Sequence, residues 1–327
     1  LFVVSGGILI KGDLQGTPKM NFIIILIGTL LASIMGTTGA SMLLIRPLIR
    51  ANEWRKHKTH LIVFFIFLVS NIGGSLSPIG DPPLFLGFLR GVDFFWPLQN
   101  LYSPMIFLSI VLLFIFLVVD YCFFKNEAPK KIYSNEKNPI SIEGKYNFIL
   151  ILFIIIAVII SGLPSLQISF FKFEDETILT LGSFIQISLL LIITLTAYKI
   201  TPDSLRKRND FTWEPIKEVA KLFATIFLTM VPAIEMLKGV STKTGPMKNL
   251  YSYIKSEDGT NIDSMYFLLT GIISSFLDNA PTYVVFFTTA MGPENVEWLM
   301  VSGKTLMAIS CGAVFMGANT YIGNAPN

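Results

Sequence analysis

Two apolar stretches of this chain are interrupted by residues that a continuous membrane helix does not tolerate. The first interruption, residues 71–83, reads NIGGSLSPIGDPP and lies between the apolar runs 61–69 and 84–89. Proline removes a backbone donor and clashes with the preceding helical turn. Irregular backbone at membrane depth occurs only where protein or a cavity surrounds it. A broken helix of this kind therefore predicts the binding site of a transporter.

The second interruption repeats the pattern of the first. Residues 317–326, GANTYIGNAP, align without a gap on residues 74–83, GSLSPIGDPP, at a spacing of 243 residues. The same spacing places residues 279–283 on residues 36–40, where small and polar residues interrupt another pair of apolar helices. Two interruptions in the same order and at one spacing predict an internal duplication, which is the pattern of inverted-repeat transporters.

The composition is that of a membrane protein. Of the 327 residues, 52% are hydrophobic and only 14% are charged, whereas soluble domains carry roughly 25% charged residues. The apolar runs have the length of helices and lack the alternation of outer-membrane strands. We therefore predict an all-α polytopic membrane protein, namely an inverted-repeat transporter with two re-entrant hairpins and two discontinuous helices. The net charge of +3 does not indicate nucleic acid binding, and the two cysteines do not indicate a disulfide framework.

The predicted elements divide the chain into three parts. These parts are the first repeat at 1–124 (hairpin 20–50, broken helix 59–90), connecting loops and helices at 125–213 (helices 146–161 and 178–198), and the second repeat at 214–327 (hairpin 264–290, broken helix 304–327). Because the chain begins with Leu1 and stops at Asn327 inside the second interruption, we expect a fragment in which both repeats are truncated. Residues 1–10 are then the tail of a helix whose full counterpart is residues 214–237.

Lysine and arginine predict the orientation of the chain in the membrane. Basic residues cluster at 46–58, 125–145 and 199–208, and these loops alternate with the predicted crossings. All three are therefore predicted to be cytoplasmic, and residues 162–177 lie on the opposite side. Residues 239–263 fit this orientation poorly, because they are predicted to be external and carry three lysines.

Two acids lie within the interrupted helices and are the first candidates for a binding site. A bare carboxylate in the membrane is expensive and marks an ion path or a proton relay, so Asp81 and Asp278 are candidate sodium ligands that can also take protons. Asp81 could alternatively serve as the N-cap of the half-helix that follows, because proline suits the first helical position.

Polar residues in or beside the four breaks complete the candidate ion- and substrate-binding set. Hard cations prefer such oxygen ligands, although each side chain could instead satisfy backbone groups freed by the break. The full set is Asp81, Asp278, Asn279, Thr282, Thr37, Thr38, Ser41, Asn71, Ser75, Ser77, Asn319, Thr320 and Asn324.

Other polar residues are predicted to lie at the membrane interface or on a solvated face. We expect Asp120 at the membrane interface, Arg46 near lipid phosphate, and His57 and His60 on a solvated face. The sequence contains no nucleotide-binding Gly-x-x-x-x-Gly-Lys-Ser/Thr loop, no paired His/Cys metal spacing and no nucleophile elbow. It therefore predicts neither an ATP-driven pump nor an enzyme.

Four motifs resemble the ion transporter superfamily, which includes citrate and other di- or tricarboxylate carriers, arsenite permeases and NhaD-type sodium/proton antiporters. They are GTTGAS at 36–41 followed by Arg46-Pro47, the interruption at 71–83, FLDNAPT at 276–282 and GANTYIGNAP at 317–326. They are most similar to the bacterial NhaD-like and citrate-transporter-like branch.

The resemblance implies a multi-pass secondary transporter of the bacterial inner membrane, whose re-entrant hairpins meet at mid-membrane. Members of the superfamily are often homodimers with a scaffold and a moving part. The expected partners are the lipid bilayer and a small inorganic cation or a small carboxylate.

The resemblance leaves the transported solute open. In the carboxylate carriers, Ser-Asn-Thr signatures at the hairpin tips bind carboxylate and sodium, but the tips here read GTTGAS and DNAPT. Asp278 and Asp81 would repel a polyanion, which favours a cation. We therefore expect sodium/proton antiport, with sodium and protons as the transported or coupling ions and no cofactor. The alternatives are sodium-coupled uptake of a di- or tricarboxylate and an arsenite-type permease.

Overall fold

The computed structural model of the chain consists mainly of helices. It describes residues 1–11, 15–127, 141–166, 168–172, 178–209, 211–214, 251–256, 258–291 and 295–327, together with a few positions between 216 and 228. The predicted helix at 214–237 lies largely outside these residues. Its expected likeness to residues 1–10 therefore stays a prediction.

The first half of the chain contains two helices joined by a single residue, then an interrupted helix, then a long helix. The elements are α1 (Phe2–Ser5), β1 (Leu9–Lys11), α2 (Pro18–Met35), α3 (Thr37–Ala51), α4 (Thr59–Leu68), a 3-10 turn (Ile72–Leu76), α5 (Pro82–Leu89) and α6 (Trp96–Lys125).

The second half ends with the same order of paired and interrupted helices. The elements are β2 (Ser141–Glu143), α7 (Tyr146–Ser161), a 3-10 turn (Pro164–Leu166), β3 (Ser169–Lys172), β4 (Ile178–Thr180), α8 (Leu181–Ile200), α9 (Asp203–Arg208), α10 (Tyr251–Ile254), α11 (Asp263–Phe276), α12 (Asn279–Met291), α13 (Val296–Ser302), α14 (Lys304–Met316) and a 3-10 turn (Gly317–Asn319).

Two short antiparallel ribbons correct the predicted helix boundaries. Strand β1 pairs with β2, so the helix predicted at residues 1–10 ends at Ser5. Close packing accompanies this end, because a Cβ on Gly7 would lie 2.5 Å from Asn147 Nδ2. Strand β4 pairs with β3, and Thr180 then caps α8 by accepting from Ser183 N, so this helix begins at Leu181 and not at the predicted residue 178.

Among the described residues, four helical segments are long and apolar enough to cross a membrane: Pro18–Met35, Thr59–Leu76, Trp96–Lys125 and Leu181–Ile200. A fifth is the pair Val296–Ser302 and Lys304–Asn319, which is bent by 89°. Helix Tyr146–Ser161 is apolar but shorter. A chain with this many apolar helices of about 20 residues is an integral membrane protein.

The buried apolar residues form two clusters, and the interrupted helix α4–α5 connects them. Leu68 at the end of α4 belongs to the cluster that contains Phe65 and Phe116. Leu84 at the start of α5 belongs to the cluster that contains Tyr283 and Phe287. The break between α4 and α5 therefore lies where the two clusters adjoin.

Candidate functional site

The carboxylate of Asp81 is the point at which the interrupted segments meet. Asp81 is only 1% exposed. Its Oδ1 accepts hydrogen bonds from Thr37 Oγ1 and Asn324 Nδ2, both at 3.1 Å, and its Oδ2 accepts one from Asn279 Nδ2 at 2.7 Å. The four residues come from four different breaks, and Asn324 lies 243 residues from Asp81 in sequence.

The helix breaks themselves position these side chains. Gly36 ends α2 with a φ of +79°, a conformation that glycine adopts without strain. Thr37 N then donates to Gly80 O at 2.8 Å, and Asn279 N donates to Gly323 O at 3.0 Å. Backbone hydrogen bonds thus join each pair of helices to an interrupted helix beside Asp81.

The two interrupted segments have the same internal packing. A Cβ on Gly80 would lie 2.0 Å from Gly74 O, and a Cβ on Gly323 would lie 2.3 Å from Gly317 O. Only glycine permits this approach of backbone to backbone. This close approach of two glycines explains why both segments have the spacing Gly-x-x-x-x-x-Gly.

The contacts between paired helices and broken helices also recur, but with a different spacing from the predicted one. Ser77 Oγ donates to Ser33 O across 44 residues, and Thr320 Oγ1 donates to Ser275 O across 45 residues. In the same way Thr37, and not the predicted Gly36, corresponds to Asn279. The second half has one additional residue between these segments, so the single spacing of 243 residues is wrong for the paired helices.

Asp278 lies beside the Asp81 site and has a different role in the fold. Its Oδ1 accepts from Ala280 N at 3.0 Å, and Thr282 Oγ1 donates to its carbonyl at 3.1 Å. These contacts satisfy backbone groups at the start of α12. Asp278 is half-buried and is not among the described residues that hydrogen-bond to Asp81.

Two further predicted residues extend the site, and one does not. Asn71 Oδ1 accepts from Asn324 Nδ2 at 3.0 Å, which links it to Asp81 through one side chain. Ser41 Oγ lies 2.9 Å from Ser70 Oγ, next to the carbonyl that also accepts from Asn324. The half-buried Thr38 makes no hydrogen bond to Asp81 among the described residues.

The remaining predicted residues satisfy freed backbone or support the breaks. Ser75 Oγ donates to Ile72 O at 2.8 Å, and Ser77 Oγ accepts from Gly80 N at 3.1 Å. Asn319 Nδ2 donates to Ser275 Oγ at 2.9 Å, in the same group of contacts as Thr320. These four positions support the breaks, and none of them hydrogen-bonds to Asp81 among the residues that the structure describes.

Sequence reasoning missed Asn327 and the serines that precede each break. Asn327 Oδ1 accepts from Asn71 Nδ2 at 2.7 Å, and its Nδ2 donates to Gly317 O and Thr320 O. Ser33 Oγ donates to Gly73 O and accepts from Leu76 N. Ser275 Oγ donates to Met316 O and accepts from Asn319 Nδ2. A serine near the end of the first helix of each pair is the sequence signal that could have identified Ser33 and Ser275.

Two buried amide oxygens beside Asp81 have no hydrogen-bond partner among the described residues, namely Asn279 Oδ1 and Asn324 Oδ1. Both amides use Nδ2 to bond the carboxylate, and a buried acceptor without a partner is costly. Carboxylate and amide oxygens together are the ligands of a hard cation. A bound cation would therefore satisfy both the charge and the acceptors.

The surrounding helices provide a positive field to the carboxylate of Asp81. Asp81 precedes α5, while Thr37 and Asn279 are the first residues of α3 and α12. Three helix N-termini thus meet at the carboxylate, and each favours negative charge. Within the described part of the chain, no lysine or arginine hydrogen-bonds to Asp81.

A second buried network contains Asp120 and corrects the solvated face predicted for His60. Asp120 Oδ1 lies 2.6 Å from Arg55 Nη2 and 2.8 Å from His60 Nε2, and its Oδ2 accepts from Asn21 Nδ2 at 2.9 Å. Asn21 also exchanges hydrogen bonds with Asn52. One carboxylate on α6 thus connects the start of α2, the loop after α3 and the start of α4.

Arg46 has a partner within the chain, whereas His57 lies at the surface as predicted. The half-buried Arg46 Nη1 lies 3.5 Å from Asn209 Oδ1, so the chain itself provides a partner for this guanidinium. His57 is exposed, as predicted, and its ring stacks on Phe123 at 5.5 Å.

Comparison with known proteins identifies the family. The CitMHS_2 family, described as "Putative citrate transport", matches residues 1–327. No curated protein and no solved structure matches the chain. Because the match extends over every residue, the chain belongs to this family of citrate-transporter-like membrane proteins.

Proposed function

We propose that the chain is a secondary transporter that binds its coupling cation at Asp81 and exchanges sodium for protons. One observation carries this proposal: a buried carboxylate lies beside two buried amide oxygens, Asn279 Oδ1 and Asn324 Oδ1, that have no partner among the described residues. Oxygen ligands of this kind suit sodium. Because a carboxylate that holds a proton is neutral, sodium and protons compete for one position.

The proposed mechanism uses the four breaks as the moving parts. Thr37 and Asn279 connect the paired helices to Asp81, and Asn324 connects the second interrupted helix to it. The recurring glycine and serine contacts support two repeats, each with a re-entrant hairpin and a discontinuous helix. Rocking of one repeat against the other about Asp81 would open the site to either side in turn.

Asp278 has a secondary role in this proposal. Its half-buried carboxylate lies immediately before α12, next to Asn279. A negative charge at this position would raise the local concentration of cations near the site. We assign it to cation entry, and Asp81 to the exchange itself.

A second candidate function is cation-coupled uptake of a citrate-like carboxylate. The family description favours it, and so do the N-termini of α3, α5 and α12 beside Asp81, because such helix ends bind anions. In this mechanism a cation would first neutralise Asp81, and the carboxylate would then bind beside it. The cation site is common to both candidates.

The test uses the purified chain in liposomes that contain a pH-sensitive dye. Sodium and citrate are added separately after a proton gradient is set, for the wild type, for Asp81→Asn and for Asp93→Asn. Asp93 is an exposed acid that binds the nearby Phe95 N and serves as the matched control. We expect sodium-evoked proton movement in the wild type and in the control, and its loss in Asp81→Asn.

The other outcomes separate the candidates. Sodium-dependent citrate uptake without a response to sodium alone would replace antiport by carboxylate uptake. Retention of either activity in Asp81→Asn would contradict the assignment of the cation to Asp81.

A further inference from the structure

Exposed cations are concentrated where the loop after α3 meets the end of α6. We define the basic rim as Arg50, Lys56, Lys58 and Lys125, all of which are exposed. None of their side chains forms an ion pair with a residue that the structure describes. The rim therefore carries four positive charges that no ion pair among the described residues neutralises.

Buried contacts hold the two parts of the basic rim together. Arg55, within the loop, pairs with Asp120 of α6, and both side chains are fully buried. The Arg55 guanidinium also lies 5.5 Å from the centre of the Phe124 ring. The loop and the helix end thus form one fixed surface.

An apolar stripe of α6 begins directly beside the basic rim. Phe114, Leu117, Val118 and Tyr121 share one face of the helix and are exposed, Phe114 by 67% and Tyr121 by 53%. Lys125, one turn further on, places Nζ 4.7 Å from the centre of the Tyr121 ring. Lys125 therefore joins the basic rim to the exposed apolar surface of the helix.

We propose that the basic rim binds the headgroup of an anionic phospholipid whose acyl chains lie along this stripe of α6. A lipid matches both halves of the surface, because its phosphate meets the cations and its chains meet Phe114, Leu117 and Val118. A free phosphate would use only the cations and leave the stripe without a role.

Two acids beside the basic rim reduce the net positive charge of this surface. Glu53 is exposed in the same loop, and the Glu127 carboxylate accepts from Lys56 N at 3.0 Å and His57 N at 2.8 Å. Desolvation raises the pKa of Glu127, but the hydrogen bonds from these two N–H groups and the nearby charges of His57 and Arg55 together outweigh it and lower the pKa. Glu127 is therefore an anion at neutral pH, and its removal should strengthen lipid binding.

The experiment measures lipid binding by the thermal unfolding of the purified chain. Phosphatidylglycerol or phosphatidylcholine is titrated into wild type, into Lys56→Gln/Lys58→Gln/Lys125→Gln and into Glu127→Gln. A matched control removes three other exposed lysines, as Lys145→Gln/Lys199→Gln/Lys304→Gln. Glycerol phosphate is added alone as the free-anion probe.

We expect phosphatidylglycerol to raise the unfolding temperature of the wild type and of the control, and phosphatidylcholine to have little effect. Each cation near a membrane surface is worth about fivefold in affinity, so the rim variant should bind on the order of a hundredfold more weakly. Glu127→Gln should bind several-fold more tightly. The preference for phosphatidylglycerol should shrink from ~0.1 M to ~1 M salt.

Three results would overturn the proposal. They are equal stabilisation by the two lipids, an equal loss in the rim and control variants, and stabilisation by glycerol phosphate alone. The last would assign the rim to a soluble anion.

Discussion

Asp81 shows how much of a site depends on residues that are distant in sequence. Its three donors are Thr37, Asn279 and Asn324, and a break in an apolar helix predicted each of them. The same reasoning also selected Thr38, which makes no hydrogen bond to Asp81 within the described part of the chain. A break identifies the polar residues near a site, but the rotation of each helix about its axis decides which of them face it.

The amide donors to Asp81 should stabilise the folded chain. Asn279→Ala or Asn324→Ala removes a hydrogen bond to a buried charged group, so we expect each to lower the free energy of unfolding by about 2 kcal/mol. Chemical denaturation of the purified variants measures this. Asn319→Ala is the control, because Asn319 is exposed and bonds only Ser275 among the described residues. Equal losses in all three variants would contradict a special role for the Asp81 contacts.

At the scale of elements, uninterrupted apolar runs predicted the helices well. The pairing of the short strands did not follow from these runs. Helix α7 has the predicted bounds, 146–161, because its apolar run is continuous. The helix predicted at 1–10 ends at Ser5, since a pairing with residues 141–143 competes with it. The network of Asp120 and His60 was not predicted, because the partners of Asp120 lie as far as 99 and 60 residues away in sequence.

The close backbone contact inside each interrupted segment should exclude a side chain. Gly80→Ala and Gly323→Ala would each place a Cβ against a backbone carbonyl, so we expect a loss of about 1–3 kcal/mol in the free energy of unfolding. Gly162→Ala is the comparison, because its Cβ would meet the Phe88 ring at 3.1 Å and not a close carbonyl. If Gly80→Ala loses no more free energy of unfolding than Gly162→Ala, the close packing of the glycines does not determine the structure of the break.

The Asp120 network should connect α2, α3 and α4 to α6. Asp120→Asn leaves the buried Arg55 without its charge partner, and we expect a loss of about 3–5 kcal/mol in the free energy of unfolding. The double variant Asp120→Asn/Arg55→Met removes both charges and should recover part of this loss. Denaturant unfolding of the two variants compares them, and equal stability would show that the ion pair contributes little.

At the scale of the whole molecule, the four breaks meet between two apolar clusters. The α4–α5 break connects the clusters, and contacts across the chain join the second interrupted helix to the first. The apolar composition predicted a helical membrane protein, and the family match agrees with a citrate-transporter-like role. The meeting point at Asp81 depends on pairings across the full chain, which periodicity does not reveal.

The most direct test of the central claim is whether sodium stabilises the chain through Asp81. A ligand that binds only the folded state adds about 2.7 kcal/mol at a hundred times its dissociation constant. Thermal unfolding is measured in sodium chloride and in choline chloride at equal ionic strength, for wild type, Asp81→Asn and Asp93→Asn. We expect sodium to raise the unfolding temperature of wild type and Asp93→Asn but not of Asp81→Asn. An equal rise in Asp81→Asn, with helix content unchanged by circular dichroism, would contradict the account.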